Sequence, residues 1–133
     1  MIDPAAVPEV ANDELLARFV LQSRHIRRSN MTVKPDAFVP HPHADLSVSR
    51  HLQASESELW SLGEGVARQI GKTLHGRADI SVSACLQQSL TVKAAPIDAN
   101  PNHADISGWP EDYDMQKAVA LVIAAAASYV NRP

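Results

Sequence analysis

Cysteine is almost missing from this sequence. Cys85 stands alone among 133 residues, which rules out an intramolecular disulfide. Aromatic residues are scarce at 5%, so aliphatic side chains and alanine must fill any core. No apolar run approaches the roughly 20 residues needed to span a bilayer; the longest is Ala118 to Ala127. Met1, Ile2, Asp3 and Pro4 do not begin a basic stretch followed by an apolar one, so no secretory signal is expected and the cytoplasm is the default location. The five glycines form no phosphate-cradling loop, dinucleotide fingerprint or Gly-x-Ser-x-Gly elbow.

Charge is nearly balanced, at −3, and gives no global case for nucleic acid or an acidic membrane surface. Its distribution is uneven. From Leu15 to Lys34 every charge is positive (Arg18, Arg24, Arg27, Arg28 and Lys34), with His25 among them. From Pro96 to Gln116 every charge is negative: Asp98, Asp105, Glu111, Asp112 and Asp114. The first region is a candidate surface for an anionic partner, nucleic acid or protein, centred on Arg24 to Arg28.

The length suits one domain. Residues 1–11, rich in proline, alanine and acid, read as a flexible leader to a single domain over 12–133. Asn12 or Asp13 can cap a helix running through Leu15, Leu16, Phe19 and Val20 towards Ile26, although Arg18 to Gln22 also suits a strand. Pro35, Pro40 and Pro42 impose a shaped loop after a short extended piece at Met31 to Val33. Leu46 to Arg50 alternates apolar and polar residues, the period of a half-buried strand. Ser55 and Glu58 form a capping box for a helix whose stripe is Leu59, Leu62, Val66 and Ile70, with Gly71 as a left-handed stop. Gly63 and Gly65 weaken that helix and allow a strand to approach closely. Alternation over Ile80 to Leu86 and again over Leu90 to Ala94 predicts two adjacent antiparallel strands. Asp112 or Asp114 opens a last helix through Val119, Val122, Ala126 and Val130. This helix is apolar nearly all round, and is expected to be buried within the domain or, as the second choice, to form a homodimer seam. The sum is an α+β fold, a small and mainly antiparallel sheet with two or three helices packed on it.

A five-residue pattern occurs three times, at His43-Ala-Asp-Leu-Ser, Arg77-Ala-Asp-Ile-Ser and His103-Ala-Asp-Ile-Ser. Irregular spacing excludes a solenoid. Aspartate closes turns well, and strands then start on an aliphatic residue. If the three strand starts share one sheet edge, His43, Arg77 and His103 converge there.

His41, His43 and Asp45 occupy alternate positions, so on an extended backbone their side chains point one way. Two imidazoles and a carboxylate so placed can share a divalent metal. The segment resembles the first part of the His-x-His-x-Asp-His signature of the metallo-β-lactamase superfamily. Here Leu46 replaces the last histidine, Ser47 and Val48 replace the usual glycines, and the chain is too short for that two-sheet sandwich; the family is rejected.

A metal-free site can be assembled from the same residues. His41 or His43 acts as general base and His103 as general acid, while Arg50 or Arg77 holds an anionic substrate, assisted by Arg27 and Arg28. This predicts a small hydrolase or nuclease-like enzyme acting on a phosphate-bearing substrate. The competing expectation is a non-catalytic module that binds protein or nucleic acid, as a subunit of a larger assembly or alone. Taken singly, each of these side chains has a structural use: Arg50 and Arg77 in salt bridges with Asp45 or Asp105, His51 closing a strand, His75 in a loop, Trp60 as a helix-face anchor and Trp109 as a loop plug.

Overall fold

The computed structural model describes residues 1–133, and its centre is a strand where periodicity favours a helix. Strand β1, Leu15–Val20, pairs on both sides, with Leu16, Ala17 and Val20 all buried. A strand covered on both faces reads as a nearly continuous apolar run, which mimics one stripe of a helix. The helix expected towards Ile26 is therefore replaced by β1, a single 3₁₀ turn at Ser23–His25, and a small ribbon of β2, Ile26–Arg27, with β3, Thr32–Val33.

The chain then runs through a 3₁₀ turn at Pro35–Phe38, β4 at Leu46–Arg50, α1 at Glu56–Gln69 and β5 at Gly76–Ser81. It continues with α2 at Val82–Leu86, β6 at Thr91–Ala94, β7 at His103–Ser107, α3 at Tyr113–Ala126 and β8 at Ser128–Asn131. Six strands form an antiparallel sheet in the order β6-β7-β4-β1-β5-β8, and β2 with β3 forms a second, two-stranded sheet. The α+β class with a mainly antiparallel sheet is borne out. No helix is long and apolar enough to cross a membrane.

The proposed hairpin over Ile80 to Ala94 is corrected. Ser81 caps α2 by accepting the Ala84 amide, and Val82 and Cys85, three apart, both turn into the core. That turn carries the chain away from β5, so β6 pairs with β7 instead.

One face of the sheet carries the main core. Leu16, Val20, Leu46, Val48, Ala78 and Ile80 alternate inward from β1, β4 and β5. They meet Phe38, Trp109 and the inner side of α3, where Ala120, Ile123 and Ala124 are buried. Asp112 caps α3 by accepting the Asp114 amide. Only one side of α3 is covered: Leu121 and Val122 are 57% and 49% exposed, which corrects the expectation that the helix is buried on several sides within the domain.

The opposite face carries α1. Its capping box is present in full, with Ser55 Oγ accepting from the Glu58 amide and Glu58 accepting from the Ser55 amide. Gly71 stands at φ +66, as expected of a left-handed stop. The buried stripe, however, is Leu59, Gly63 and Ala67, while Val66 and Ile70 are exposed. A Cβ on Gly63 would lie 2.8 Å from Cδ1 of Phe19. The helix therefore rests on its small residues, and its larger ones, Leu62 and Val66, overhang the sheet.

Residues 1–11, expected to be a loose leader, are tied to the domain. Ile2 is buried and its amide donates to Asn102 Oδ1, while the carbonyls of Pro8 and Glu9 accept from Arg50.

Candidate functional site

The two arginines expected to hold substrate are occupied internally. Arg50 is fully buried, with Nε 2.7 Å from Glu14 Oε1 and Nη2 2.8 Å from Glu14 Oε2. Arg77 donates from Nη1 and Nη2 to both oxygens of Glu56, from Nε to Asp79, and lies 4.8 Å above the Trp60 ring. Internal ion pairing was the correct structural alternative, but the partners are Glu14, Glu56 and Asp79 rather than Asp45 or Asp105. His51 Nε2 meets Asp79 Oδ1 at 2.8 Å and so belongs to this network.

The three histidines are not gathered at one point. His41 packs against Tyr113, with ring centroids 5.2 Å apart. His43 is exposed in the loop before β4, and His103 opens β7. Because β4 and β7 are antiparallel, with Ser49 opposite His103, His43 and His103 lie towards opposite ends of that strand pair. The single-edge arrangement of the three repeated segments is thereby corrected. His41, His43 and Asp45 are exposed, and no group of three or more His, Cys, Asp or Glu side chains is placed to hold a metal ion. Arg27 and Arg28 are exposed at the β2–β3 ribbon, a separate sheet from the one that carries His103.

A different arginine defines the main concavity. β1 and β4 pair only through Leu16 with Arg50 and Ala17 with Ser49. Beyond that point they separate, although β1 stays paired with β5 to Val20 and β4 stays paired with β7 to Leu46. Arg18 fills the fork. Its Nε donates to the Ala37 carbonyl at 2.9 Å and its Nη1 to the Ser47 carbonyl at 2.8 Å, in place of the lost ladder bonds.

No carboxylate lies within ion-pair distance of Arg18; the arginines so paired are Arg24, Arg50, Arg77 and Arg132. Burial without a counter-charge pushes the Arg18 guanidinium down to about 10.

The fork opens into a groove of ≈ 510 Å³ between α1 and the uncovered part of the sheet. Phe19, Leu62, Val66 and Ile97 make its apolar walls, and Arg18, Ser49, Asn100 and His103 supply polar groups. The overhang of α1 creates this space, and Gly65 keeps it open, since a Cβ there would meet nothing within 4 Å. Asn100 is held by its own Nδ2, which donates to Ser49 Oγ at 2.9 Å.

His103 is oriented from behind. Its Nδ1 lies 2.8 Å from the Ala95 carbonyl, which can only accept, so Nδ1 carries the proton and Nε2 is the free nitrogen of the neutral ring. Nε2 stands 4.0 Å from Asp105 Oδ1. Arg18 and Ser47 also line an adjoining concavity of ≈ 390 Å³ with His43, Asp45 and Asp105. The structure thus places His43 and His103 in neighbouring hollows that share Arg18.

Sequence reasoning missed Arg18. The available signal was one arginine inside the apolar run Leu15 to Val20, in a region without a single acidic residue up to Lys34. No protein-family model, curated protein or solved structure matches this chain.

Proposed function

We propose that the chain binds a small, partly apolar anion, a phosphate monoester or carboxylate, in the groove beneath α1. The observation that carries this reading is Arg18. The buried arginines Arg50 and Arg77 each have their own carboxylates, whereas half-buried Arg18 has only two carbonyls and lines the open groove at the fork. A desolvated cation without a counter-ion gains more from an incoming anion than a solvated one does. The walls of Phe19, Leu62, Val66 and Ile97 suit an apolar group attached to that anion.

The test is an amide-resolved NMR titration with phenyl phosphate. Saturable shifts at Arg18, Phe19, Ser47, Val66 and His103, lost in Arg18→Met, are the expected result. Shifts confined to other regions, or unchanged binding by a folded Arg18→Met variant, would overturn it.

A second reading, hydrolysis of a phosphate ester, is favoured by the fixed tautomer of His103. With Nδ1–H donated to Ala95, Nε2 is available to take the proton of a water attacking phosphorus as the ester oxygen departs. This keeps the phosphate-bearing substrate expected from the sequence but moves anion binding to Arg18. Release of p-nitrophenol from its phosphate, lost in His103→Gln with binding retained, would support catalysis; saturable binding with no turnover leaves binding alone.

A further inference from the structure

We propose that the β2–β3 ribbon and the turn after α1 form one basic surface that docks on the phosphate backbone of a nucleic-acid duplex. This surface is separate from the groove and does not depend on the reading given to it.

Arg24, Arg27 and Arg28 are exposed on the ribbon and its approach, and Lys34 follows β3. The turn after α1 adds Lys72, which lines a shared hollow with Arg24, Ser23, Thr73 and His75. Arg24 and Lys72, from two stretches of the chain, thus meet in one hollow, and Arg27, Arg28 and Lys34 follow Arg24 along the ribbon. Asp36 is the one acidic side chain within ion-pair distance of these cations, 4.0 Å from Arg24, and both side chains are largely solvated at 68% and 54% exposure. Arg27, Arg28, Lys34 and Lys72 have no acidic side chain within ion-pair distance; the remaining pairs lie at Met1, Arg50, His51, Arg77, His103 and Arg132. His25, in the middle, is held below its usual range by burial and then by the charge of Arg24.

The chemistry of the patch selects among polyanions. Single-stranded nucleic acid is gripped by aromatic rings on which bases stack. Neither the ribbon nor the turn carries a Phe, Tyr or Trp, and Tyr129 is half-buried with its hydroxyl tied to the His75 carbonyl. A membrane surface needs apolar anchorage beside its cations. Met31 at the ribbon tip and Ile70 at the end of α1 are the exposed large apolar residues on these segments, one on each, too few to make an anchoring apolar face. What the surface offers is unpaired charge and arginine donors in planar forks, which match backbone phosphates and require no exposed base.

The experiment is fluorescence anisotropy of a short labelled DNA duplex titrated with the full chain at rising salt. If each of the five cations neutralises one phosphate, affinity falls with a log–log slope of about −4 to −5, several-hundred-fold between about 50 and about 200 mM salt. Arg27→Glu with Arg28→Glu should weaken binding by about 10-fold or more and flatten the slope by about 2, with an unchanged melting temperature certifying the fold. A single strand of the same sequence should bind more weakly than the duplex. The proposal is overturned by no duplex binding at low salt, by equal binding of the double variant, or by equal or tighter binding of the single strand. It is also overturned if vesicles rich in phosphatidylserine are bound and the duplex is not. Because these residues do not line the groove, Arg18→Met should leave duplex binding intact, so the two proposals fail separately.

Discussion

Arg50 and Glu14 form a two-toothed ion pair inside the molecule, with Nε–Oε1 at 2.7 Å and Nη2–Oε2 at 2.8 Å. The same guanidinium binds the carbonyls of Pro8 and Glu9, so one side chain fastens the opening segment to the end of β4. Removing one member strands the other charge in the interior. Glu14→Ala should cost about 3–5 kcal/mol, read as a lower urea midpoint. Glu14→Leu combined with Arg50→Met should recover much of that loss. A single variant as stable as the parent would show that the pair contributes little.

Asn102 joins the same corner. Its Nδ2 donates to the carbonyls of Arg50 and Leu52, and its Oδ1 accepts from the Ile2 amide. Asn102→Ala leaves three backbone groups without these partners and should destabilise by at least about 2 kcal/mol. Thermal melts will check this, and a change under about half a kcal/mol would mean that water replaces the amide.

Two glycines of α1 should respond in opposite directions. Gly63→Ala drives a methyl into Phe19 and Leu74 and should destabilise. Gly65→Ala meets open space in a helix interior and should stabilise by about 0.5–1 kcal/mol. The same methyl narrows the groove, so phenyl phosphate should bind more weakly to the more stable protein. Unimpaired binding by Gly65→Ala would place the ligand elsewhere.

These glycines also mark how far the sequence could be read. The Ser55–Glu58 capping box and the Gly71 stop are local chemistry, and both appeared where residue spacing put them. Strand β4 was equally legible, because its alternation is a property of the strand itself. β1 was not, since a run such as Leu15 to Val20 is decided by neighbours from distant regions of the chain. α2 deceived for a related reason: Ile80, Val82, Ala84 and Leu86 alternate, yet Ser81 caps a single helical turn. The groove was illegible because it arises from a mismatch. α1 seats on Gly63 rather than on its larger residues, and β1 and β4 diverge immediately after Ala17.

Acid should unfold this protein through carboxylates held below their ordinary range, of which Glu14 and Asp79 are the least exposed. Burial raises the pKa of Glu14, but the Arg50 hydrogen bond, the Ala11 amide and the Arg50 charge outweigh it and hold the group below its ordinary value. At Asp79 burial is likewise outweighed, here by His51 and Arg77. A depressed folded pKa adds stability above the unfolded value of about 4, and that stability is lost as pH falls through the folded one. The urea midpoint should therefore decline on acidification below that range. Asp79→Asn should lower the neutral plateau and make the acid decline shallower. An equally steep decline in the variant would remove Asp79 from the cause.

Cys85 should serve as a reporter of opening. It has no exposed surface, and burial pushes its thiol up to about 11. A disulfide reagent should label it at neutral pH only as fast as the core opens, and promptly in denaturant. Rapid labelling of the native protein would contradict the packing around α2.

The strand order has a bearing on assembly in time. β1 is made first, yet it lies between β4 and β5, and β5 obtains its outer neighbour only from β8, near the last residues. Each of these pairings closes a long loop before any contact rewards it, which makes for slow, non-local folding. A nascent chain halted before Ser128 would carry an uncapped β5, offering its amides and carbonyls to any other strand within reach.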